Sequence, residues 1–500
     1  MTPPGPVILA IDQSTSATKA ILFDASGVAL DKESRKHEQI YPQPAWVEHD
    51  ADEIWRNTVE VVGALVSRNA DATQRIACLS ITNQRETFVV FDRATGRPLR
   101  NAVVWQCRRG EPVCAEHRAA GHEELVGRKT GLPIDTYFPA SKLELLLRED
   151  GELRRALDDG SALVSTIDAY LVHRMTKGGV YATDHTNASR TLLFDIEALA
   201  WDDELCALFT VPTSALPEVR ASDARFGETD IEGVLPRPVP ICGVMGDSQA
   251  ALFAEACFDV GDAKVTFGTG SSCLLNVGAA RPAGGEGIVT ALGWVLDRDE
   301  QGARCYALEG IINCTGATVS WLTDQLELLK TPVESEELAR SVNDNGGVYL
   351  VPAFVGLSAP YWHADARAAI VGLTPHSTKR HVARAALESI AYQVADCLEL
   401  MARTSSVTLA RMHADGGMVA NSFLMQFVSD MTRLQVRASS EPEVSALGAA
   451  FAGGLGVGLY ESLAEVAALP RQATEYAPQM EAELVEENHQ GWQRAVARVF

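Results

Sequence analysis

An apolar run, a tip of hydroxyl and glycine residues and a second apolar run occur twice in this 500-residue chain, once near the start of each half. The first set is Val7-Ile8-Leu9-Ala10-Ile11, stopped by Asp12, then Gln13-Ser14-Thr15-Ser16-Ala17-Thr18-Lys19, then Ala20-Ile21-Leu22-Phe23-Asp24. The second is Ala263-Lys264-Val265-Thr266-Phe267, then Gly268-Thr269-Gly270-Ser271-Ser272, then Cys273-Leu274-Leu275-Asn276-Val277. Short apolar runs bounded by turn residues read as buried strands, so each set predicts a hairpin. Two hairpins of one form and little shared identity predict a duplicated fold whose tips clamp phosphates from both sides. At the first tip a plain hydroxyl-rich turn is the alternative. The length agrees with duplication, because a single hydrophobic core stops growing at roughly 250 to 300 residues. Two α/β domains are expected, 1–249 and 250–500, with the cleft between them as the place for a site.

A formal charge of -23 argues against a protein that grips nucleic acid or an anionic membrane. The start, Met1-Thr2-Pro3-Pro4-Gly5-Pro6, lacks the basic region of a signal peptide, and no segment approaches the ~20 apolar residues of a membrane span. A cytoplasmic protein with no integral membrane association is expected. Ten cysteines without a CxxC or a zinc-spaced cluster read as reduced thiols. Asn187-Ala188-Ser189 matches the glycosylation sequon, which means little in an unsecreted chain.

Chemistry concentrates where apolar runs stop. Pro240-Ile241-Cys242-Gly243-Val244-Met245-Gly246 reads as a strand that ends in Asp247, and Ala250 to Ala254 as the helix that follows. A carboxylate fixed at such a junction suits a general base, with a helix cap as the plainer alternative. Arg75 to Ile81 reads as another strand, ending in Thr82-Asn83-Gln84-Arg85-Glu86-Thr87. The adjacent Arg85 and Glu86 offer five donors and two acceptor oxygens, a match for vicinal hydroxyls, with a surface ion pair as the alternative. Ala102 to Arg109 repeats the pattern of a strand with a polar end and carries Trp105, able to lie along C–H groups or to fill a core. Tyr137 has the same two readings.

In the second half, Gly316 and the pair Gly416-Gly417 before Asn421 precede helix patterns, where backbone N–H groups admit a nucleotide. Thr210 to Pro240 reads as loops, and Gly346 to Phe354 as a strand. There is no GxxxxGK[ST], GxSxG or HExxH. The run Gly453-Gly454-Leu455-Gly456-Val457-Gly458 follows no strand and reads as close helix packing.

Together these segments resemble the FGGY family of carbohydrate kinases, most closely its glycerol kinase branch. The resemblance runs through nearly the whole chain. It is carried by Gln84-Arg85-Glu86-Thr87, Trp105-Gln106-Cys107-Arg108-Arg109, Ser189-Arg190-Thr191-Leu192-Leu193-Phe194, Gly246-Asp247, Gly268-Thr269-Gly270, Leu387-Glu388-Ser389-Ile390-Ala391-Tyr392-Gln393 and Asp415-Gly416-Gly417-Met418-Val419-Ala420-Asn421. It implies two actin-like, ribonuclease-H-like domains flanking a deep catalytic cleft. It also implies an ATP-dependent kinase acting on a small polyol, with Mg²⁺, as a homo-oligomer (dimer or tetramer).

By position, Asp247 is similar to the family's base, and Asp12 to the carboxylate that holds Mg²⁺ together with Asp247. Arg85, Glu86, Trp105, Tyr137, Asp247 and Ser248 match the polyol site. Ser14, Thr15, Ser16, Lys19, Thr269, Gly270, Gly316, Gly417 and Asn421 match the ATP site. Lys19 stands where the branch usually has arginine, Ser248 where it has a glutamine touching glycerol, and Ser272 where an aromatic residue is common. The two serines imply a roomier pocket, and hence a longer polyol such as a tetritol as the alternative substrate. An actin-like ATPase switch without a polyol substrate is the alternative of a different class.

Overall fold

Three parallel strands, Val7–Gln13, Ile76–Asn83 and Val239–Gly246, lie at the centre of a six-stranded sheet. Their runs of aliphatic residues suit a sheet buried on both faces. The order across the sheet is Arg225–Thr229, Val239–Gly246, Ile76–Asn83, Val7–Gln13, Ala17–Asp24, Ala29–Lys36, and both flanks are antiparallel. Register sets the ends level, since Gln13 pairs with Asn83 and Asn83 with Gly246. Asp12, Arg85, Glu86 and Asp247 therefore emerge from one carboxyl edge, where open α/β sheets bind ligands. This computed structural model describes residues 5–282, 284–285, 287–298, 304–363 and 365–500. Met1–Pro4, read above for a signal peptide, lie outside the described residues.

Helix Ala51–Arg68 packs its apolar stripe on this sheet, with Ile54, Trp55, Val61, Val62 and Leu65 buried beside Leu9, Ile11, Leu22 and Ile81. Asp50 caps it, its side chain accepting from the Asp52 N–H.

The second sheet repeats the plan. Asp262–Phe267 pairs antiparallel with Ser271–Gly278 and parallel with Arg411–Asp415, which is followed by Val436–Ser439 and Ala473–Tyr476. The repeated hairpin is thus a repeated topology, one hairpin strand in each sheet being joined to a parallel neighbour. Among the described residues no helix is long and apolar enough to cross a membrane.

The chain divides into two compact units. One comprises Met1–Ala256, Thr290–Tyr306 and Glu443–Pro470, the other Cys257–Val289, Ala307–Pro442 and Arg471–Phe500. Each unit is assembled from segments that are not contiguous in sequence. Helix Val444–Gly456 is late in sequence yet belongs to the first unit, because its glycines let it lie directly on backbone. A side-chain carbon at Gly448 would overlap the Ala250 carbonyl, and one at Gly453 would overlap the Ser80 hydroxyl.

Other differences are local. The first strand runs on through Asp12 to Gln13, and the second begins at Ala17, so Lys19 faces Asp12 across the hairpin instead of sitting at its tip. The strand expected over Ala102–Arg109 is only Ala102–Val103, since the chain turns as the Cys107 N–H returns to the Val104 carbonyl. The strand expected over 346–354 is only Tyr349–Val351. The segment 210–240, read as loops, contains Glu218–Arg220 and the edge strand Arg225–Thr229, too short and too exposed to show as an apolar run.

Candidate active site

Asp247 is the first residue of helix Asp247–Ala254, and the cap position belongs to Gly246, which has no side chain to cap with. The Asp247 carboxylate instead accepts from the Ser248 N–H at 2.7 Å and stands 3.3 Å from Arg85 Nε. Its side chain is 38% exposed where that of Arg85 is 4%, so a buried cation holds an accessible carboxylate. Ser248 is half-buried beside it. Glu86 is buried too, 3.8 Å from Arg85 Nε, and accepts from Arg190 Nε at 2.6 Å. The Arg85–Glu86 pair is therefore no surface ion pair. Trp105 and Tyr137 lie side by side, ring centroids 5.2 Å apart, both half-buried.

The hairpin tip joins this group through Thr15, whose hydroxyl accepts from Trp105 Nε1 at 3.0 Å. Ser14 closes the turn, its hydroxyl donating to the Ala17 carbonyl, and Ser16 is exposed. Asp12 lies 3.1 Å from Lys19 Nζ. Burial raises the Asp12 carboxyl to about 6 against the pull of Lys19, and the charges of Glu443 and Asp247 add to the rise. Lys19 also contacts Glu443 at 2.7 Å. Burial pushes its ammonium down, but the Asp12 and Glu443 carboxylates outweigh burial and its value rises.

In the second unit the tip Gly268-Thr269-Gly270 docks on the start of helix Gly316–Asp324. The Gly316 N–H donates to the Gly268 carbonyl, and those of Thr315 and Ala317 to the Thr269 carbonyl, each at 3.0 Å. A side-chain carbon at Gly316 would meet that Gly268 oxygen at 2.6 Å, so the close approach there is protein on protein. Thr269 is exposed and Gly270 half-buried. Gly417 faces open space, and Asn421 caps helix Ser422–Thr432 by accepting from the Leu424 N–H. The Ser272 hydroxyl donates to Glu309 Oε1 at 3.2 Å.

Residues 7–254 match the N-terminal domain, and 263–457 the C-terminal domain, of the FGGY family of carbohydrate kinases. The chain belongs to that family. Glycerol kinase 1 of Thermotoga maritima is 46% identical over 99% of both chains, and the glycerol kinase of Desulfitobacterium hafniense is 45% identical over the same shares. The crystal structure of Plasmodium falciparum glycerol kinase with ADP superposes with a TM-score of 0.94 at 36% identity, covering 99% of this chain and 98% of that one. Xylulose kinase from Lactobacillus acidophilus, 22% identical with a TM-score of 0.87, shares the fold.

Within this FGGY chain several residues close to the site escaped the reading of the sequence. Arg190, wholly buried, grips Glu86 and lies 5.9 Å from the Tyr137 ring centre. Gln249 accepts from Arg85 at 3.3 Å. Lys142, also wholly buried, points its ammonium at the carbonyls of Val104, Trp105 and Tyr137, each 3.3 Å away. Arg190 stood in a quoted motif without a role, and Lys142 is a charge inside an otherwise core-facing helix turn. Those were the available signals.

Proposed function

We propose that this FGGY kinase transfers the γ-phosphoryl group of ATP to a primary hydroxyl of glycerol, giving glycerol 3-phosphate. The observation that carries the reading is the accessible Asp247 carboxylate held 3.3 Å from buried Arg85 at the edge where Glu86, Trp105 and Tyr137 also emerge. Likeness to glycerol kinases over the full length supports it. Asp247 takes the proton of the attacking hydroxyl. Arg85 and Glu86 supply donors and acceptors to the neighbouring hydroxyls, and the two rings cover the C–H faces. Lys19 and the Ser14–Ser16 tip meet phosphate oxygens, while Thr269, Gly270, Gly417 and Asn421 contact the nucleotide. Phosphoryl transfer asks mainly for such positioning and charge neutralisation.

The residues present suit Mg²⁺. Among the described residues no group of three or more His, Cys, Asp and Glu side chains could hold a metal unaided. Magnesium, however, typically takes one or two carboxylates and completes its shell with water and substrate phosphates. Asp12, a buried carboxylate raised to about 6, and Asp247 would hold it. When bound, the ion neutralises charge on the transferring phosphates.

A coupled ADP-release assay across glycerol, erythritol, pentitols and ketoses tests the reading. Glycerol is expected to raise ATP turnover sharply; turnover indifferent to every polyol would indicate an ATPase switch instead. Small Ser248 beside Asp247 favours a second reading, a tetritol, and erythritol outperforming glycerol in kcat/KM would establish it. Asp247→Asn is expected to bind both substrates and lose about 10² or more in kcat, the contribution of a positioned base.

A further inference from the structure

The turn that carries the glycosylation sequon is wholly buried and hydrogen-bonded into the site. Asp184, Thr186, Asn187 and Ser222 have no exposed surface. The Asp184 carboxylate accepts from the Thr186 N–H at 3.0 Å, the Asn187 N–H at 2.9 Å, Asn187 Nδ2 at 2.9 Å, the Thr186 hydroxyl at 2.8 Å and the Ser222 hydroxyl at 2.8 Å. With its proton committed to Asp184, the Thr186 oxygen can only accept, and it accepts from the Gly246 N–H at 2.9 Å. Gly246 is the residue immediately before Asp247. Asn187 exchanges amide hydrogen bonds with Asn83, at 2.9 and 3.1 Å, on the strand end that leads to Arg85 and Glu86. Three residues on, Arg190 Nε donates to Glu86 Oε1 at 2.6 Å, and Glu86 itself has a left-handed backbone, φ 62°.

Burying a carboxylate is costly unless donors surround it, and a non-glycine residue at positive φ persists only when its surroundings impose it. Both conditions meet in one short stretch of chain. We propose that the turn Asp184–Arg190 sets the positions of both carboxylates of the polyol site. Thr186 acts on Asp247 through the Gly246 amide, and Arg190 acts on Glu86 directly. Thr186 and Arg190 are positioning residues: neither takes the proton of the attacking hydroxyl. Because Thr186 governs the base, its loss reads in kcat; because Arg190 governs a group that holds hydroxyls, its loss reads in the polyol KM.

The proposal rests on the polyol kinase reading, and the experiment separates the two. Wild type, Thr186→Ala, Thr186→Ser and Arg190→Lys are purified as full chains and assayed for glycerol-dependent ADP release, with Tm measured alongside. Thr186→Ala is expected to lose about 10-fold or more in kcat, the scale of a sub-ångström misplacement, with both KM values within about 3-fold. Thr186→Ser, which keeps the hydroxyl, is expected to restore kcat. Arg190→Lys keeps the charge without the fork and is expected to raise the glycerol KM about 10-fold with a smaller change in kcat and none in the ATP KM. Lowered Tm with unchanged kinetics per folded molecule would show a structural role only and overturn the proposal. If Thr186→Ala does not fold, an unchanged glycerol KM in Arg190→Lys overturns it equally. No glycerol-dependent turnover from wild type refutes the underlying reading instead.

Discussion

Lys142 brings a charge into a place its helix, Pro139–Glu149, would otherwise fill with apolar atoms. Burial pushes its ammonium down from 10.5 to about 8. The folded value lies below the unfolded one, so the stability this group contributes is fully present above 10.5 and is lost as pH falls through about 8. Raising the pH across that interval therefore favours the fold through Lys142 while weakening what it does there. A neutral amine has two N–H groups for three carbonyls, and those carbonyls anchor Trp105 and Tyr137. The glycerol KM is expected to rise as pH passes 8 without a matching loss of Tm. Lys142→Met should show a high KM that no longer changes with pH. A KM profile from pH 7 to about 9.5 checks this, and a Lys142→Met profile parallel to wild type contradicts it. The place of Asp247, Arg85 and Glu86 just past strand ends was legible in the sequence, because each lies where an apolar run gives way to polar residues. Lys142, Thr186 and Arg190 were not: what they grip lies on distant strands or in backbone carbonyls, and no local pattern records such a partner.

At the level of elements, Val7–Gln13 and Asp262–Phe267 announced themselves as strands because both faces are buried, whereas Val289–Val295, equally buried, did not. The edge strand Arg225–Thr229 did not, because one-sided burial leaves too few apolar residues to form a run. Helix Val444–Gly456 was legible as a close-packed helix from its glycines, whereas its place in the first unit depends on which backbone those glycines meet. Gly448 meets the carbonyl of Ala250, on the very helix that begins with Asp247. Gly448→Ala must push these two helices apart or bend one, and overpacking of that kind costs about 1 to 3 kcal/mol. A fall in Tm of about 3 °C or more is expected, accompanied by a lower kcat because the displaced helix carries Asp247, the proposed base. Differential scanning calorimetry with steady-state kinetics measures both. An unchanged Tm would mean that the two helices part without cost.

Over the whole molecule, the repeated hairpin correctly signalled two sheets of one plan, while the interleaving of the units left no mark on composition. The cysteines offer a readout of that division. All ten are buried and none forms a disulfide. Burial pushes the Cys114 and Cys242 thiols up to about 11 and that of Cys206 to about 12, so little thiolate exists even where a reagent could reach it. Reaction must then wait for local or global opening. Cys78 and Cys242 neighbour each other in the core of the first unit, and burial followed by the Cys242 charge raises Cys78. Cys273 and Cys397 neighbour each other in the second, where Cys273 and burial raise the Cys397 thiol. A pulse of thiol reagent at increasing urea, read by peptide mass spectrometry, should label Cys78 together with Cys242 and Cys273 together with Cys397. In buffer alone, labelling should stay below about one thiol per chain over minutes, since unfolding of such domains is slow. Labelling of Cys78 at a urea concentration that leaves Cys242 protected would mean that the first unit's sheet does not open as one body, because the two thiols sit on adjacent strands of it, Ile76–Asn83 and Val239–Gly246.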